Sequence, residues 1–559
     1  MPYSTLKFAF VCLSATAILA LPSCAQNAAP QLAAAPGADG KMMETATPDA
    51  KANDFPNVPG TVIFHSPASS KLFVGSPGIA VLPNGDYVAK NDEFGFGIED
   101  TRAITRVFGS SDKGKSWQPL SVVNNCFWSS IFVNKGALYM LGTSKQYGHL
   151  VIFRSDDGGK TWTEPTDETN GVLRSDGKFH TAPMPVVEHD GRLWRAVEDA
   201  NGPGGWGSMF RAFMMSAPVD ADLLKASSWT SSNPLERDPK WNNNDFGGWL
   251  EGNAVLTRDG NIVDILRVAT NSPIEKAAII RISKDGKTAT FDDQNDLVLL
   301  PGASKKFTIR FDPQTNKYWS LTNVVPTRHQ GTNPGGIRNT LGLISSTDLK
   351  NWTINSVLLY NPDVAKHGFQ YVDWQYEGDD IIAASRTAFD DDEGGAHNNH
   401  DANFLTFHRF KNFRTLTMKD SVPMPTQAPV HVSTTNFDID GAKFEMAPLA
   451  KGSKIYSNRD YVWINVPDKF SGGKFTRMSG GVPAQMTLTA KKDGMVYFAT
   501  ALSQPGVDVR GWAKTGDTLN YSDGAKTVMT VFGREVKAGD EVKIPQGNWV
   551  GSAVLVDAQ

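Results

Sequence analysis

The sequence has few cysteines, a net charge close to zero and no long apolar run beyond its N-terminus. Each of these properties excludes a class of protein. Three cysteines among 559 residues cannot form the disulfide framework of a small secreted scaffold or a zinc site built on thiolates. Because 55 basic residues face 59 acidic ones, for a net charge of −4, the chain carries no basic field for nucleic acid. No apolar run beyond the N-terminus reaches the ~20 residues that cross a bilayer.

What the sequence has in abundance predicts a folded chain rich in strands. Hydrophobic residues make up 40% of it and charged residues 20%, a balance that excludes a disordered protein. The 51 glycines and 14 tryptophans are typical of secreted β proteins, and amphipathic helical stretches are scarce. At about 150 residues per domain, the length allows three or four domains, or one large all-β unit that occupies most of the chain.

Residues 1–24 predict an export signal of the lipoprotein type. Lys7 is their only charge, an apolar run from Phe8 to Leu21 follows, and Leu21-Pro-Ser-Cys24 resembles the lipobox in which the cysteine becomes lipidated. Ordinary cleavage after Ala25 is the alternative. Residues 25–57 are rich in Ala, Pro, Asp and Lys and predict a flexible tether. We therefore expect a protein of the bacterial periplasm or cell surface, held at a membrane only through its N-terminal lipid.

The cysteines fit this export signal. With Cys12 and Cys24 assigned to it, Cys126 is the cysteine that remains in the folded part, so a disulfide within the mature chain is excluded. Cys126 precedes Phe127 and Trp128 in an apolar stretch and is predicted to be a small core residue.

Short strands separated by tight turns recur over residues 58–415. Segments 78–89 and 252–263 each have the pattern of a hairpin, strand, turn and strand. Segments 110–117 and 155–162 share the motif Ser-x-Asp-x-Gly-x-Ser/Thr-Trp, and segment 346–352 is a shortened copy. In this motif Asp and Ser bond the turn backbone and Trp packs between sheets, so it is a folding element and not a catalytic one.

The spacing of these motifs predicts a β-propeller. Their aromatic ends lie 45 to 67 residues apart, at Trp117, Trp162, Trp229, Phe291 and Trp352. This spacing suits four-stranded blades, and the chain from 58 to 415 has room for six, with seven as the alternative. A strand near Thr61–Phe64 is placed to close the ring with the last blade.

A second all-β domain is predicted at the C-terminus. Residues 416–430 include a proline-rich segment and form a linker, and residues 431–559 contain more short strands. We predict a β-sandwich there, with accessory packing or carbohydrate binding as its alternative roles.

The paired Ser-x-Asp-x-Gly-x-Thr-Trp motifs resemble the Asp boxes, or BNR repeats, of the sialidase (neuraminidase) superfamily over about residues 60–415. The same boxes occur in secreted polysaccharide lyases and in non-catalytic binders. The resemblance implies a tyrosine nucleophile paired with a glutamate, which it places at Tyr371 and Glu251. It implies an aspartate as general acid and base at Asp100, with Asp92 as the alternative.

The resemblance further implies arginines that hold a substrate carboxylate. Arg267 and Arg338 match the family's second and third arginines, whereas Gly75-Ser-Pro77 replaces the segment that carries the first. Arg386 is the candidate for a replacement guanidinium. This divergence favours an acidic sugar as substrate over sialic acid specifically.

Further polar residues are candidates for the same cleft. Glu198 in an apolar strand, His180, and the pair His400 and Asp401 are predicted to contact substrate. No metal centre is predicted, because two histidines in one loop are too few ligands. A structural Ca²⁺ at the acidic run 390–393 is the one cofactor considered.

These residues predict a sialidase-like glycosidase that cleaves a glycosidic bond in a glycan or polysaccharide containing an acidic sugar. A polysaccharide lyase that acts on a uronate by β-elimination is the second hypothesis, since both reactions need arginine against a carboxylate. A non-catalytic glycan-binding surface protein is the third. We expect a monomer that uses no cofactor for catalysis.

Overall fold

The computed structural model describes residues 55–556, except 96, 102, 273, 327–328, 330–332, 425–429, 458, 481–483, 503–506 and 547–550. The predicted export signal, the lipidation at Cys24 and the tether up to residue 54 lie outside the described residues. The prediction of an all-β chain is confirmed, since nearly all regular structure consists of antiparallel strands.

Six antiparallel sheets follow one another along residues 61–410, and we number them in chain order. The first strand, β1 (Thr61–His65), belongs to the last of these sheets. Sheet 1 contains β2 (Phe73–Val74), β3 (Gly78–Val81), β4 (Tyr87–Phe94), β5 (Ile104–Ser110) and β6 (Gln118–Asn124). Sheet 2 contains β7 (Phe127–Asn134), β8 (Ala137–Thr143), β9 (Leu150–Ser155) and β10 (Val172–Arg174). Sheet 3 contains β11 (Phe179–His180), β12 (Val187–His189), β13 (Arg192–Asp199), β14 (Arg211–Pro218) and β15 (Thr230–Ser231).

In the other three sheets, as in the first three, each strand pairs antiparallel with its neighbours. Sheet 4 contains β16 (Gly248–Leu256), β17 (Ile262–Ala269), β18 (Lys276–Ile282), β19 (Ala289–Thr290) and β20 (Leu297–Leu299). Sheet 5 contains β21 (Thr308–Asp312), β22 (Lys317–Thr322), β23 (Thr340–Ser346) and β24 (Trp352–Tyr360). Sheet 6 contains β25 (Gly368–Glu377), β26 (Asp380–Ala388) and β27 (Phe404–Phe410), followed by β1 at its far edge.

The pairing of β1 with β27 brings both ends of this region together. The two strands are antiparallel, with Thr61 opposite Phe407 and His65 opposite Phe404. The strand predicted near Thr61–Phe64 therefore pairs with the last sheet of the series.

Hydrophobic clusters join each sheet to the next. Examples are Val107 with Met140 between sheets 1 and 2, and Trp319 with Phe369 between sheets 5 and 6. A further cluster combines residues of sheet 6 and sheet 1 and so completes the circle. Each predicted aromatic end packs against the cluster between its own sheet and the preceding one: Trp117, Trp162, Trp229, Phe291 and Trp352.

The turn motifs hold themselves by local hydrogen bonds. Asp157 accepts bonds from the backbone N–H groups of Lys160 and Thr161, and Ser155 accepts one from Gly159. The bonds from Thr161 lower the pKa of Asp157 to about 2. Asp112 makes the same set of bonds in the preceding motif.

Hydrogen bonds also link each sheet to the next through residues on the first strands of the sheets or beside them. Lys90 bonds Ser129, and Ser130 bonds the carbonyl of Met184. Further links join Glu198 to the N–H of Gly252, Asn253 to Ile309, Trp374 to Thr308, and Asp373 to Ile79. These six links run from sheet 1 through sheet 6 and back to sheet 1, so the linked segments surround one common centre.

The C-terminal residues form two further sheets around their own core. The strands are β28 (Val430–Ser433), β29 (Phe437–Ala442), β30 (Phe444–Leu449), β31 (Trp463–Asn465), β32 (Gly473–Met478), β33 (Gln485–Ala490), β34 (Gly494–Thr500), β35 (Ala513–Tyr521), β36 (Val528–Val536), β37 (Glu541–Lys543) and β38 (Ser552–Val556). One sheet has the order β28-β29-β33-β37, and the other has the order β30-β32-β38-β34-β36-β35-β31. Their shared cluster includes Ile439 and Leu488 from the first sheet and Phe475 and Val531 from the second.

Helical structure among the described residues is brief. It consists of α1 (Ile98–Thr101), α2 (Trp241–Asn244) and 3₁₀ turns at Ala68–Ser70, Ala226–Ser228, Pro334–Gly336, Phe413–Thr415 and Met418–Asp420. None of the helices in the described part of the chain is long and apolar enough to cross a membrane.

Candidate active site

Three β-bulges present side chains at the common centre. The opening strands of sheets 2, 4 and 6 each place two residues against one of the neighbouring strand, and the pairing shifts at the bulge. The bulged residues are Trp128, Glu251 and Tyr371, with left-handed φ angles of 49°, 60° and 54°. Large side chains rarely adopt this conformation. Such backbone outliers concentrate at functional sites, and a bulge re-aims the side chain that it carries.

Glu251 and Tyr371, predicted from sequence as a catalytic pair, are both in this group. Glu251 is 5% exposed, and its Oε2 lies 3.4 Å from Nη1 of Arg267. Burial raises the pKa of Tyr371, and the negative charge of Glu251 raises it further. The charges of Arg338, Arg386 and Arg267 act in the opposite direction. The phenol is therefore within electrostatic reach of one carboxylate and of all three predicted arginines.

Arg338 and Arg386 both lie over the ring of Tyr371. The guanidinium carbon of Arg386 is 4.8 Å from the ring centre, and that of Arg338 is 6.0 Å from it. Arg338 donates to Oε1 of Gln370 at 2.7 Å, and burial lowers its pKa to about 10. Among the described residues neither guanidinium forms an ion pair with a carboxylate, although burying an unpaired charge is costly.

Two of the arginines also have unused donors. The Nε atoms of Arg267 and Arg386 are buried without a hydrogen-bond partner among the described residues. Buried N–H groups normally have a partner. Together with the unpaired charges, these free donors make the centre a strong candidate for binding an anion, carboxylates above all.

His400 and Asp401 line the same side of the centre. Nδ1 of His400 is 2.8 Å from Oδ1 of Asp401, and the imidazole contacts the ring of Tyr371 edge-on at 6.1 Å. Arg386 donates to the backbone carbonyl of His400 at 2.5 Å. Burial, aided by the charge of Arg386, lowers the pKa of His400 to about 3, so the imidazole is neutral at neutral pH.

His180 and Glu198 lie beside the bulge that carries Glu251. Nδ1 of His180 is 3.1 Å from Oε2 of Glu198, and the other oxygen of Glu198 accepts the N–H of Gly252 at 2.8 Å. Glu198 thus supports the bulge immediately after Glu251. The imidazole of His180 stacks on Phe210 at 4.3 Å.

The two candidates for the acid and base differ in placement. Asp92 is buried and accepts from Lys90 and Thr105 through Oδ1, while its Oδ2 has no partner among the described residues. Its charge reaches Arg386. Asp100 is exposed on α1, and it is close enough to Tyr147 to raise the pKa of that phenol, after the larger effect of burial. Asp92 is therefore close enough to interact electrostatically with Arg386, one of the three arginines around Tyr371. Asp100 interacts with Tyr147 instead.

Sequence reasoning missed two residues of the site. Trp128 lies in the same apolar stretch as Cys126, and it contacts Tyr147 and His180 edge-on at 5.5 and 4.6 Å. Lys306 is buried, and its ammonium donates to the carbonyls of Val372 at 2.8 Å and Tyr371 at 3.4 Å, so it holds the third bulge. A lysine pair directly before a buried strand was the available signal for Lys306. No feature of the sequence indicates that the backbone of Trp128 adopts a left-handed conformation.

The acidic run 390–393 is tied to neighbouring side chains. Asp391 lies 2.9 Å from Nε2 of His65 and accepts from Asn403 at 2.8 Å. Within the described part of the chain, no three His, Cys, Asp or Glu residues are grouped so that they could hold a metal ion.

Comparisons with known proteins find distant structural likeness. No family model and no curated protein matches the chain. A Penicillium chrysogenum α-L-arabinanase complexed with arabinobiose is 16% identical, with a TM-score of 0.42, over 65% of this chain and 100% of its own. A Fusarium graminearum α-L-arabinofuranosidase is 11% identical, with a TM-score of 0.41, over 63% and 98%. A Trypanosoma rangeli sialidase in complex with sialic acid is 12% identical, with a TM-score of 0.38, over 87% and 91%. At these TM-scores an activity has to be inferred from the chain's own residues.

Proposed function

We propose that this chain is a glycosidase that cleaves a glycosidic bond of a glycan containing an acidic sugar. The observation that supports it most is the group of three guanidiniums around Tyr371, with buried Nε donors still free on Arg267 and Arg386. A carboxylate on the sugar would supply the missing partners through paired, charge-assisted hydrogen bonds.

The chemistry follows from the pairing of Tyr371 with Glu251. A neutral phenol is a weak nucleophile until a base takes its proton, and Glu251 is the carboxylate closest to that task. As the phenolic oxygen bonds the anomeric carbon, its proton passes to Glu251 and the bond to the leaving oxygen breaks. An aspartic acid protonates that oxygen, and we favour Asp92 because it lies with the arginine cluster. Water activated by the same aspartate then releases the sugar and restores the phenol.

A tyrosine suits an anionic substrate better than a carboxylate nucleophile would. An attacking carboxylate would place a full negative charge beside the carboxylate of the sugar, and like charges at such distances repel strongly. The neutral phenol avoids this repulsion. Arg338 and Arg386 stabilise the charge that grows on the phenolic oxygen as its proton leaves.

We further propose that sheets 1–6 are the blades of a six-bladed propeller, with the site at its centre. The six core clusters and the pairing of β1 with β27 support this arrangement. Residues 416–430 would be a linker and 431–559 a β-sandwich accessory domain. The sequence supports export and lipid attachment at Cys24, and we propose a monomer.

A polysaccharide lyase is the second candidate, and His400 favours it. The guanidiniums neutralise the carboxylate of a uronate, and the charge of that carboxylate offsets the effect of Arg386 on the pKa of His400, so that the imidazole can remove the proton α to the carboxylate. The electron pair left on that carbon forms a double bond as the bond to the leaving oxygen breaks. Tyr371 would then protonate the leaving oxygen.

One experiment separates these activities. Purified protein is incubated with sialylated glycans, polygalacturonate and hyaluronan, and new reducing ends are measured beside the ultraviolet absorbance of an unsaturated sugar. The proposal predicts reducing ends without absorbance. It also predicts a loss of at least about 100-fold in kcat for Glu251→Gln and Tyr371→Phe.

Tyr376→Phe is the matched control, because this tyrosine lies in the same strand and donates to the carbonyl of Arg310 away from the centre. Full turnover by Tyr371→Phe would overturn the glycosidase mechanism. Unsaturated products that disappear in His400→Gln would favour the lyase. Binding of a glycan with neither product would favour the non-catalytic binder.

A further inference from the structure

Trp206 is among the most exposed large apolar side chains of the described residues. Its indole is 61% exposed on the loop between β13 and β14, in the glycine-rich segment Gly202-Pro-Gly-Gly-Trp-Gly207. An exposed indole offers a large, rigid apolar face for a binding partner, and tryptophan is enriched at interfaces for this reason. The proposed catalytic steps do not involve this residue.

The loop that carries Trp206 is held in a defined shape. Gly202 donates to the carbonyl of Met209, and Met209 donates to that of Gly205, both at 2.9 Å. The hydroxyl of Ser208 also donates to the carbonyl of Gly205 at 3.0 Å. These bonds close the loop at its base and again beside Trp206, so the indole projects from an ordered support.

The loop rests directly on the strand that carries Glu251. A Cβ atom added to Gly248 would lie only 2.0 Å from the carbonyl oxygen of Gly207. Gly248 opens β16, three residues before Glu251. The close approach of two backbones at these glycines therefore places the support of Trp206 beside the proposed catalytic strand.

A row of rings connects Trp206 with the site. The indole meets Phe210 edge-on at 6.0 Å, and Phe210 stacks on His180 at 4.3 Å. His180 bonds Glu198, which accepts the N–H of Gly252. Trp206 is the exposed end of this row, whose other end supports the bulge that carries Glu251.

We propose that Trp206 is a stacking platform for a second sugar of the glycan, the neighbour of the acidic residue held by the arginines. The C–H face of a sugar ring packs on an indole as other apolar surfaces do. The proposal rests on the proposed function, because it assumes a glycan that extends from the arginine cluster across Glu251. It adds that the protein prefers chains to single sugars and that Trp206 sets this preference.

The test compares a long and a short substrate of the same acidic sugar. The long probes are hexasaccharides of polygalacturonate and hyaluronan and a sialylated hexasaccharide, and the short probes are the methyl glycosides of the same acidic sugars, which carry no ring next to the acidic sugar. Trp206→Ala is expected to lower kcat/KM about five- to tenfold on the long probe that is cleaved. It leaves the short probe unchanged, and Trp206→Phe retains most of the preference because it keeps a ring.

Leu299→Ala is the matched control, since Leu299 is also 61% exposed but lies on β20 of sheet 4. Equal losses on long and short probes, or no loss on the long one, would overturn the platform. Binding of the hexasaccharides to Glu251→Gln, with and without Trp206→Ala, decides the case if nothing is cleaved. Binding that needs Trp206 supports the platform although the glycosidase proposal fails, and binding that ignores it, or no binding, refutes the platform.

Discussion

Replacing Glu251 by glycine should leave a more stable protein than replacing it by alanine. Both changes remove the same carboxylate and leave Arg267 with the same lost partner, so these effects cancel in the comparison. What differs is the backbone, which has a φ angle of 60° at this position. A residue with a Cβ pays about 1–2 kcal/mol in the left-handed region, and glycine does not.

The size of the difference follows from two opposing effects. Glycine relieves the left-handed strain, but it loses more conformational entropy on folding, which costs about 0.5–1 kcal/mol relative to alanine in a strand. The free energy of unfolding of Glu251→Gly should therefore exceed that of Glu251→Ala by about 0.5–1 kcal/mol. Ala254 lies three residues further along β16 and is buried there. Ala254→Gly, as the control, should destabilise the protein by about 1 kcal/mol or more.

The assay is equilibrium unfolding in urea, followed by tryptophan fluorescence and circular dichroism on the full chain. If Glu251→Ala proves as stable as Glu251→Gly or more so, the left-handed bulge is not the strained conformation inferred here. Both variants should lack activity. If Glu251→Gly is the more stable variant, the left-handed backbone at Glu251 lowers the stability of the native chain. The chain then bears this cost because the bulge positions the carboxylate.

Three further predictions concern groups around the site. Burial lowers the pKa of Lys306 to about 7, far below its value in an unfolded chain. The folded state therefore holds fewer protons there, and stability should rise between pH 7 and pH 10, a rise that Lys306→Met reduces in thermal melts. Gly248→Ala should displace the loop at Gly207, lower the melting temperature and abolish the preference for long substrates, unlike Gly494→Ala at the start of β34, where an added Cβ meets nothing within 4 Å. Burial raises the pKa of the Cys126 thiol to about 11. Peptide mapping should therefore find it unalkylated in the native protein and fully alkylated in urea, and native alkylation would contradict its burial.

The features that the sequence predicts well are those whose interacting residues lie close together in the chain. The turn motifs ending at Trp117 and Trp162 combine local hydrogen bonds with one packing residue. Their residue pattern can therefore be recognised in one sequence without a structure. Arg267 lies opposite Leu250, the residue before Glu251, because both belong to one hairpin. Residues such as these are joined by local geometry, which composition and spacing reveal.

The features that sequence misses depend on contacts between distant segments. Trp206 lies in a stretch whose glycines are typical of any surface loop, and only the approach of Gly207 to Gly248 gives it a position. Lys306 lies before β21, the first strand of sheet 5, but bonds the backbone of Tyr371 in the first strand of sheet 6. Asp100 and Asp92 are close in sequence, yet one is exposed and the other buried, because a strand end and a short helix separate them.

The pairing of β1 with β27 also determines when the molecule can be completed. As the chain emerges from synthesis or export, sheets 1 to 5 have all their strands before β27 exists. By contrast, β1 is the first strand to emerge, and its partner β27 is the last strand of residues 61–410. Contacts between residues so distant in sequence form slowly, because a long loop has to close. A chain cut before Phe404 would leave β1 without its partner and the end of the series open, which invites aggregation through unpaired edges. Limited proteolysis during refolding should thus find the segment around Thr61 protected last.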